Sequence, residues 1–425
     1  MSGRRVAVVG AGWAGLAAAV HARRAGHDVR VYEMAPQPGG RARTVAVDGL
    51  PLDNGQHILI GAYTATLELM RLVGADPDAL LLRLPLQLRA PDGRGLQLPA
   101  GAPLPAFVRG VLAADRWSVS ERLRLLATAA GWLARGFECA PQLDVATLCR
   151  RLPAAVRRDL IEPLCVAALN TPAAEASARV FLRVLRDALF AGRGSSDLLL
   201  PRRGLDALLP QPAQRWLEAN GVTLQPRRRV GSLARSGARW AVDGEPFDAV
   251  VLACSAAEAA RLAQPVAPQW SATAAALRYE PIVTVYLRTA AARLPQPINA
   301  LATGPQAPAQ FAFDLEQLGV AAGVSSWVVS GAAAWLAAGL PALAEACRRQ
   351  AAAVLGSAAT PQPPPLLHVA AERRATFRCT PGLQRPPAAI APGLVAAGDY
   401  VDGPYPATLE GAVRAGAEAV GVLAP

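Results

Sequence analysis

The sequence predicts an α/β fold in which one domain is assembled from separated segments of the chain and a second domain is inserted between them. Three observations predict it. Residues 4–33 read as a strand, a glycine-rich turn, a helix and a second strand. Residues 394–420 follow a similar order of buried strand, Gly-Asp turn and helix. Between them, residues 103–190 have helical character and residues 279–290 alternate as a strand does, so one core would not hold all 425 residues.

Composition excludes several chemistries before any motif is considered. The chain is 52% hydrophobic and 18% charged, which indicates folded domains with apolar cores. Its net charge is +11, yet it contains no Lys, so all 43 basic residues are Arg and lysine-dependent catalysis is excluded. The Arg residues are scattered and form no stripe interleaved with aromatic residues, so we expect no nucleic-acid binding.

The six Cys residues and the apolar runs indicate the compartment. No two Cys form a CxxC pair, and none lies at metal-ligand spacing from a His. We therefore expect no metal site, and reduced thiols in the cytoplasm. The sequence also predicts neither a signal peptide nor a membrane-spanning helix.

The first thirty-three residues predict a dinucleotide site. After the buried run Val6–Val9 come Gly10, Gly12 and Gly15 in GxGxxG spacing, and then a helix. The first glycine permits the tight turn, the second lets a pyrophosphate approach the backbone, and the third lets the helix pack on the strand. The helix N-terminus offers unpaired N–H groups to the phosphates. Glu33 ends the second strand and can accept hydrogen bonds from ribose hydroxyls.

Two further glycine-containing segments favour FAD over a nicotinamide dinucleotide. Gly39, Gly40 and Arg41 follow a proline-rich turn, where exposed backbone and a guanidinium fork can hold phosphate or ribityl oxygens. A nicotinamide-binding half would continue with another strand and helix, and this segment does not. Near the C-terminus, Gly398 and Asp399 follow a buried strand and precede a helix that offers a second positive end.

In combination these motifs resemble a known class of flavoenzymes. GxGxxG with Glu33, then GGRA, then Gly-Asp before a C-terminal helix resembles the amine oxidase and phytoene desaturase superfamily of FAD enzymes. The segments DNGQHILIGAY, PLCVAALNTP and DGPYPATLEGAV resemble the hydroxysqualene dehydroxylases of hopanoid biosynthesis, and the resemblance runs over essentially the whole chain. It implies a Rossmann-type FAD-binding domain built from discontinuous segments, beside an α+β substrate domain with a helical insert. It also implies FAD as the cofactor and a long apolar isoprenoid as the substrate.

The resemblance and the element pattern together divide the chain into five segments. We expect the FAD-binding domain to comprise residues 1–75, 194–262 and 388–425. The helical insert of the substrate domain is expected at residues 76–193 and its sheet at residues 263–387.

The resemblance also implies the cofactor contacts. The segment Gly55-Gln56-His57 is expected beside the isoalloxazine. The segment GVTLQPRRRV is expected to be a strand that ends at Val230, whose backbone lies at the adenine. The expected contacts are Gly10, Ala11, Gly12, Trp13, Ala14, Gly15, Glu33, Met34, Gly39, Gly40, Arg41, Ala42, Gly55, Gln56, His57, Val230, Gly398, Asp399, Ala407, Thr408 and Leu409. Cys165 and Asn170, in the segment PLCVAALNTP, are expected to line the substrate pocket.

The family reaction removes the hydroxyl of an allylic alcohol, and the leaving oxygen needs a proton donor. We expect His57 to be this acid, because burial and hydrogen bonding can bring a histidine pKa near neutrality. A histidine satisfied within the core is the alternative, and Glu410 at a helix start can equally act as a cap. The other candidates for the catalytic group are Gln56, Tyr400, Asp402, Tyr405 and Glu410. The sequence contains no second GxGxxG, so the electron donor is external and unidentified.

Two other functions are compatible with the sequence, and one amphipathic helix has two alternative roles. A carotenoid-type desaturase would have the same fold and FAD site with hydride moving in the opposite direction, and a flavin-binding scaffold would have no chemistry. An amine oxidase is disfavoured because those enzymes usually place a lysine near the flavin. The segment SVSERLRLLATAAGWLARGF predicts a basic amphipathic helix with Ser120 as its N-cap. It can lie peripherally on the inner face of a membrane or cover an apolar domain.

Overall fold

The computed structural model describes residues 3–290, 292–356 and 362–423. Its central feature is a six-stranded sheet that draws strands from both ends and from the middle of the chain. In spatial order the strands are Thr223–Gln225, Asp28–Tyr32, Arg5–Val9, Ala249–Leu252, Leu394–Ala396 and Ala389–Ala391. The first five run parallel and the last is antiparallel to its neighbour. The predicted sheet built from separated segments is therefore present.

Helices bury this sheet. The first helix, Trp13–Arg24, contacts the strands Arg5–Val9 and Asp28–Tyr32 and also the C-terminal helix Leu409–Val422. A Cβ on Gly416 would lie 2.2 Å from the carbonyl oxygen of Ala14, so glycine allows these two helices to touch. The other helices of residues 60–80 and 205–276 are Thr64–Leu72, Pro77–Leu80, Leu205–Leu208, Pro210–Ala219, Ala256–Ala263 and Pro268–Ala275.

A second sheet is antiparallel and has five strands. Their spatial order is Ile298–Ala300, Phe311–Asp314, Val324–Val329, Tyr279–Arg288 and Leu366–Phe377. The strand Val324–Val329 is buried along its whole length. The helix Leu340–Leu355 packs on the two longest strands of this sheet, and the short helix Ala333–Ala338 precedes it.

A helical segment forms the remaining large element, as the sequence predicts. Among the described residues, no helix is both long enough and apolar enough to cross a bilayer. The helices are Pro103–Ala113, Val119–Ala134, Val145–Leu148, Ala154–Val156, Glu162–Leu169 and Ala178–Phe190, with a π-helical turn at Arg157–Ile161.

Four small antiparallel sheets complete the fold of the described residues. The strand Leu198–Pro201 pairs with Leu59–Ile60 on one side and Leu81–Leu84 on the other, which ties the end of the helical segment to its beginning. The other three sheets are Thr44–Val47 with Leu50–Asp53, Gln87–Arg89 with Gly95–Gln97, and Leu233–Ser236 with Arg239–Val242 and Glu245–Phe247.

Two local predictions are wrong. Ser118, not Ser120, caps the helix Val119–Ala134: its hydroxyl accepts from the N–H of Glu121, whose carboxylate accepts from the N–H of Ser118. This reciprocal capping box needs an acidic residue three positions after the serine, and only Ser118 has one. The strand expected to end at Val230 ends at Gln225, because Arg227 has a φ of 59° that an extended strand does not adopt.

Candidate cofactor and active site

The glycine-rich turn after the first strand has the geometry that GxGxxG predicts. Gly10 has a φ of 105°, and a Cβ there would lie 2.7 Å from the carbonyl oxygen of Ala253. A Cβ on Gly15 would lie 1.9 Å from the carbonyl oxygen of Gly10, so this glycine lets the first helix approach the turn. Both positions are closed to any side chain by the protein itself.

Gly12 differs from its two companions because nothing in the protein fills the space beside it. A Cβ on Gly12 would have Gly40 as its nearest neighbour, at 3.9 Å. The two glycine segments are joined directly, since the N–H of Gly39 donates to the carbonyl of Ala11 at 2.9 Å. Bare backbone on both sides therefore forms a cradle at the N-terminus of the helix Trp13–Arg24, which suits a pyrophosphate.

Glu33 lies beside this cradle and is buried. Its carboxylate accepts from the N–H groups of Ala11 and Ala35, both at 2.7 Å. Each oxygen can accept further hydrogen bonds, which leaves capacity for ribose hydroxyls. Met34 does not share this environment, because its side chain is 61% exposed. Val230 is buried, and its carbonyl accepts from Arg261 at 2.8 Å.

Arg41 and Asp399 join the two ends of the chain. Arg41 donates to the carboxylate of Asp399 at 2.5 Å and to the carbonyl of Ala375 at 2.7 Å. The indole N–H of Trp13 donates to the carbonyl of Ala42 at 3.0 Å, which fixes the GGRA segment over the first helix. The N-terminal turn, the C-terminal Gly-Asp turn and the second sheet therefore meet at Arg41.

The C-terminal helix begins at the same place. Ala407 has a φ of 56°, and its N–H donates to the carbonyl of Asp399 at 3.1 Å. Thr408 caps the helix by accepting from the N–H of Gly411 at 2.9 Å. Leu409 is the first helical residue. The positive end of this helix is thus held next to the Gly398-Asp399 turn.

The segment Gly55-Gln56-His57 lies against the second sheet. The side-chain oxygen of Gln56 accepts from the hydroxyl of Ser326 at 3.1 Å. The hydroxyl of Tyr286 donates to the carbonyl of Asp53 at 2.7 Å, which fixes the start of the segment. Its polar groups therefore stand at the surface of the second sheet.

The protonation of His57 follows from its surroundings. Nδ1 lies 2.8 Å from the carbonyl oxygen of Gly55, so Nδ1 carries the proton and Nε2 holds a lone pair in the neutral ring. Burial lowers the pKa of His57, the Gly55 carbonyl raises it less, and the Arg41 charge lowers it further. At neutral pH His57 is therefore an acceptor through Nε2, and it becomes an acid only below its lowered pKa.

Two buried hydroxyls have no partner among the described protein atoms: Thr284 Oγ1 and Tyr400 Oη. A Cβ on Gly55 would lie 3.9 Å from Thr284 Oγ1, so this hydroxyl faces the Gly55 turn. The ring of Tyr400 would lie 2.6 Å from a Cβ on Gly398. Burial raises the pKa of Tyr400, so its hydroxyl stays protonated. Together with the Gly12 cradle, these unpaired groups fit a polar cofactor running from the first glycine turn to the Gly55 turn.

Asp53 and Glu410 have partners that give them structural roles. Asp53 accepts from the N–H of Leu205 at 2.9 Å and from the hydroxyl of Thr44 at 2.8 Å, and burial raises its pKa to about 7. Glu410 is fully buried and accepts from the N–H of Thr66 at 2.9 Å and its hydroxyl at 2.7 Å. It also accepts from the N–H of Ala65 and from Arg414, at 3.0 and 2.8 Å. Glu410 therefore caps the helix Thr64–Leu72.

The ring of Tyr405, in the C-terminal loop, contacts two guanidinium groups. The guanidinium carbon atoms (Cζ) of Arg183 and Arg414 lie 5.8 and 4.9 Å from the centre of this ring. Burial and the Asp187 carboxylate raise the pKa of Tyr405. Arg183 and Asp402 line a cavity of about 590 Å³, where the helical segment meets the loop at 402–406. A cavity of this volume is within the usual range for small-molecule sites.

Hydrogen bonds tie the LNTP segment, which is expected to line the substrate pocket, to the second sheet. Asn170 is buried with a φ of 46°, and its amide donates to the carbonyl of Glu280 at 3.1 Å and to the hydroxyl of Thr376 at 3.0 Å. Its oxygen accepts from the N–H of Gly331 at 2.7 Å. Asn170 therefore fastens the helical segment to three parts of the second sheet. Cys165 is buried nearby, and its thiol donates to the carbonyl of Thr171 at 3.5 Å.

The sequence did not identify Ser326 and Thr284, which flank the Gly55 turn. Both are buried polar residues within apolar strands. A polar residue within an otherwise apolar strand is the sequence signal that could have identified them, because a buried strand position is usually apolar.

The fold and the cofactor cradle define a flavoprotein oxidoreductase, and comparison with known proteins agrees. The family model for flavin-containing amine oxidoreductases matches residues 13–424. The chain belongs to this family and is an FAD-dependent oxidoreductase.

Particular relatives narrow the assignment. Hydroxysqualene dehydroxylase of Rhodopseudomonas palustris is 30% identical over 99% of this chain and 98% of its own length. The enzyme of that name from Sinorhizobium fredii is 28% identical over 97% of this chain and 96% of its own length. A probable zeta-carotene desaturase of Synechococcus elongatus is 43% identical, but over 18% of this chain. The resemblance to the hydroxysqualene dehydroxylases is therefore confirmed over nearly the whole chain.

Solved structures share the fold at low identity. A putative protoporphyrinogen oxidase from Exiguobacterium has a TM-score of 0.70 and 19% identity, covering 100% of this chain and 99% of that one. Reduced UDP-galactopyranose mutase has a TM-score of 0.68 and 15% identity, covering 99% of this chain and 93% of that one. These likenesses concern the fold alone, because one fold supports many reactions.

Proposed function

We propose that this enzyme reductively removes the hydroxyl of hydroxysqualene to give squalene, a step that serves hopanoid biosynthesis. The observation that carries the proposal is the similarity to hydroxysqualene dehydroxylases over nearly the full length of both chains. The Gly55-Gln56-His57 segment, held against the second sheet, supports the proposal because it supplies polar groups of the kind this reaction needs.

The reaction sets three demands on the protein. The C–O bond of an allylic alcohol breaks, a proton joins the oxygen so that water leaves, and a hydride equivalent joins the carbon. Bound, reduced FAD supplies the hydride. The protein must hold a proton beside the leaving oxygen, keep solvent away from an electron-poor carbon, and bind a long apolar chain.

We assign the binding of FAD to groups that meet at Arg41. Gly12 and Gly40 leave backbone open to the pyrophosphate, and Glu33 keeps acceptor capacity for the ribose. Arg41 and Asp399 lie where the cofactor would pass from the first helix towards the second sheet. The segments 1–75, 194–262 and 388–425 would form the FAD-binding domain, with 76–193 and 263–387 forming the substrate domain.

His57 is the group we assign to the substrate hydroxyl. With Nδ1 committed to Gly55, Nε2 accepts the hydroxyl proton in the neutral ring and donates a proton to the oxygen once the ring is protonated. The hydroxyl of Ser326 donates to the side-chain oxygen of Gln56, so the amide N–H₂ of Gln56 points away from Ser326. We assign this N–H₂ group as a second donor, either to the substrate oxygen or to the flavin. We propose no catalytic role for Glu410, and Tyr405 would act only at the edge of the substrate site.

The helical segment presents the aliphatic side chains that an isoprenoid chain packs against. Residues such as Leu125, Leu160 and Leu185 enclose an entirely apolar cavity within it. The volume of this cavity, about 30 Å³, is too small for the chain itself, so we assign no substrate site to it. The electron donor that reduces the flavin is external to these residues.

A carotenoid-type desaturase is the second candidate, favoured by the local similarity to zeta-carotene desaturases. One pair of anaerobic mixing experiments separates the two. Photoreduced enzyme mixed with hydroxysqualene should regain oxidised-flavin absorbance and yield one squalene per flavin. Oxidised enzyme mixed with phytoene should remain oxidised. Reduction by phytoene without any reaction of the reduced enzyme would reject the proposed function, and an absence of both reactions would favour a scaffold.

A further inference from the structure

Exposed apolar side chains are concentrated on one pair of helices, Pro103–Ala113 and Val119–Ala134. Leu104, Leu112, Val119, Leu123 and Leu133 are between 43% and 67% exposed. Elsewhere in the described residues, the large hydrophobic side chains exposed to this degree are Met34, Leu366 and Val422. Single exposed apolar residues are ordinary on a protein surface, but a cluster of five indicates an interaction site.

The spacing on the longer helix puts the apolar residues on two separate faces. The outward residues are four, three, four and three positions apart, which is the spacing of one helical face. They are Val119, Leu123, Leu126, Ala130 and Leu133, of which Leu126 is partly buried against the core and the others are exposed. The residues of the other face, Leu125, Ala129 and Trp132, are buried. An ordinary surface helix has one apolar face, so the exposed residues of the outward face have no function in the core.

The inward face of the same helix lines the apolar cavity of the helical segment. Leu125, Ala129 and Trp132 contribute to its wall, and so does Phe107 from the shorter helix. The two helices therefore separate an exposed apolar surface from an internal apolar cavity by the thickness of one layer.

Arginine residues border the exposed face. Arg109 and Arg124 are exposed, and Arg122 is half-buried with its guanidinium on the carbonyls of Trp117 and Leu112. The acidic residues nearby have other partners. Asp92 accepts from Arg116 at 2.8 Å, Asp115 pairs with Arg94 at 3.6 Å, and Glu121 closes the capping box of the longer helix. Positive charge at the border is thus left for an external partner.

We propose that this surface, hereafter the docking face, binds an anionic phospholipid bilayer. The docking face consists of Leu104, Leu112, Val119, Leu123 and Leu133 with the bordering Arg109, Arg122 and Arg124. The apolar side chains enter the acyl boundary while the arginines meet lipid phosphates. The inference rests on the proposed function in one respect, since an enzyme held at the bilayer would meet a lipid-soluble substrate there.

The test measures flotation of FAD-loaded protein with vesicles of equal parts phosphatidylcholine and phosphatidylglycerol, without substrate. A wrong substrate assignment therefore leaves the result unaffected. The Leu112→Ser, Leu123→Ser, Leu133→Ser triple variant should lose at least about tenfold in partitioning, because each leucine loses apolar burial. The Arg109→Gln, Arg124→Gln double variant should lose about 25-fold, since each arginine near an anionic surface contributes about fivefold. On vesicles of phosphatidylcholine alone, the loss of partitioning caused by the two arginine substitutions should disappear.

The matched control is the triple variant Leu366→Ser, Val422→Ser, Arg215→Gln, which removes similar side chains outside the docking face. It should float as the unchanged protein does. Flavin absorbance and the unfolding temperature confirm that each variant is folded, and the single Leu123→Ser variant replaces the triple one if that does not fold. Equal flotation of docking-face and control variants would overturn the proposal. A second result would also overturn the proposal. In it the unchanged protein does not bind vesicles, and the Leu123→Ser variant dissociates from a dimer or from a protein partner that the unchanged protein holds.

Discussion

Changing Gly12 to alanine is expected to separate cofactor binding from folding. Gly12 has a φ of −70°, which any residue adopts, and an added methyl group would meet its nearest protein atom at 3.9 Å. The apoprotein therefore accepts the methyl group. The same methyl group projects into the cradle between the two glycine segments, where we propose that the pyrophosphate approaches the backbone.

Two small contributions of opposite sign determine how Gly12→Ala changes the free energy of unfolding of the apoprotein. Replacing glycine at a compatible conformation stabilises by about 0.4–1 kcal/mol, because the unfolded chain loses freedom. Alanine at this N-cap position is less favourable than glycine by roughly 0.5–1 kcal/mol. The free energy of unfolding should therefore change by less than about 1 kcal/mol. Loss of a single charge-assisted hydrogen bond to phosphate costs about 1.5–3 kcal/mol, which weakens FAD binding roughly 10- to 150-fold.

The assay titrates deflavinated protein with FAD and follows flavin fluorescence, alongside urea unfolding of the apoprotein. Gly421→Ala is the matched control, because Gly421 lies in the C-terminal helix with open space around it. Gly15→Ala gives the contrasting case, since its methyl group would overlap the carbonyl oxygen of Gly10 and should destabilise the apoprotein itself. Wild-type FAD affinity in Gly12→Ala, or an apoprotein destabilised as strongly as Gly15→Ala, would refute the proposed role of the cradle.

Three further predictions concern Asn170, Asp53 and His57. Asn170→Ala removes three buried hydrogen bonds and leaves alanine at a φ of 46°, so the free energy of unfolding should fall by about 3–5 kcal/mol in urea titrations; Asn170→Gly, which keeps the backbone, should lose less. The pKa of Asp53 is raised to about 7 by burial, so its contribution to stability is complete below about pH 4 and is lost as pH rises through 7; Asp53→Asn should flatten this part of the stability profile, and an unaltered slope would contradict the buried carboxyl. The pKa of His57 is lowered, so its contribution is complete above pH 6.5 and is lost as pH falls through the lowered pKa; His57→Gln should remove that acid-side slope, as calorimetry at several pH values would reveal.

The sequence predicts the parts of this fold whose cause is local. The glycine turn, the two strands around it and the helix between them lie within thirty residues, and each glycine has a steric reason that a motif can carry. The Gly-Asp turn and its helix at the other end of the chain are predicted for the same reason.

The remaining features depend on contacts between distant residues. Glu410 is occupied by Ala65 and Thr66, more than 300 positions away, and no sequence pattern links them. Asn170 reaches Glu280, Gly331 and Thr376 only after the helical segment has docked on the second sheet. Ser118 and Ser120 differ by two residues, and the choice between them depended on the position of Glu121.

The single-turnover rate of reduced enzyme with hydroxysqualene, measured against pH in the unchanged protein and in His57→Ala, tests the central claim most directly. Both proteins should hold FAD, because His57 supplies none of the groups that we assign to the pyrophosphate or the ribose. Flavin reoxidation in the unchanged protein should slow as pH rises above the lowered pKa of His57, and His57→Ala should be at least about 100-fold slower and independent of pH in that range. Equal rates and equal pH profiles in the two proteins would contradict the account.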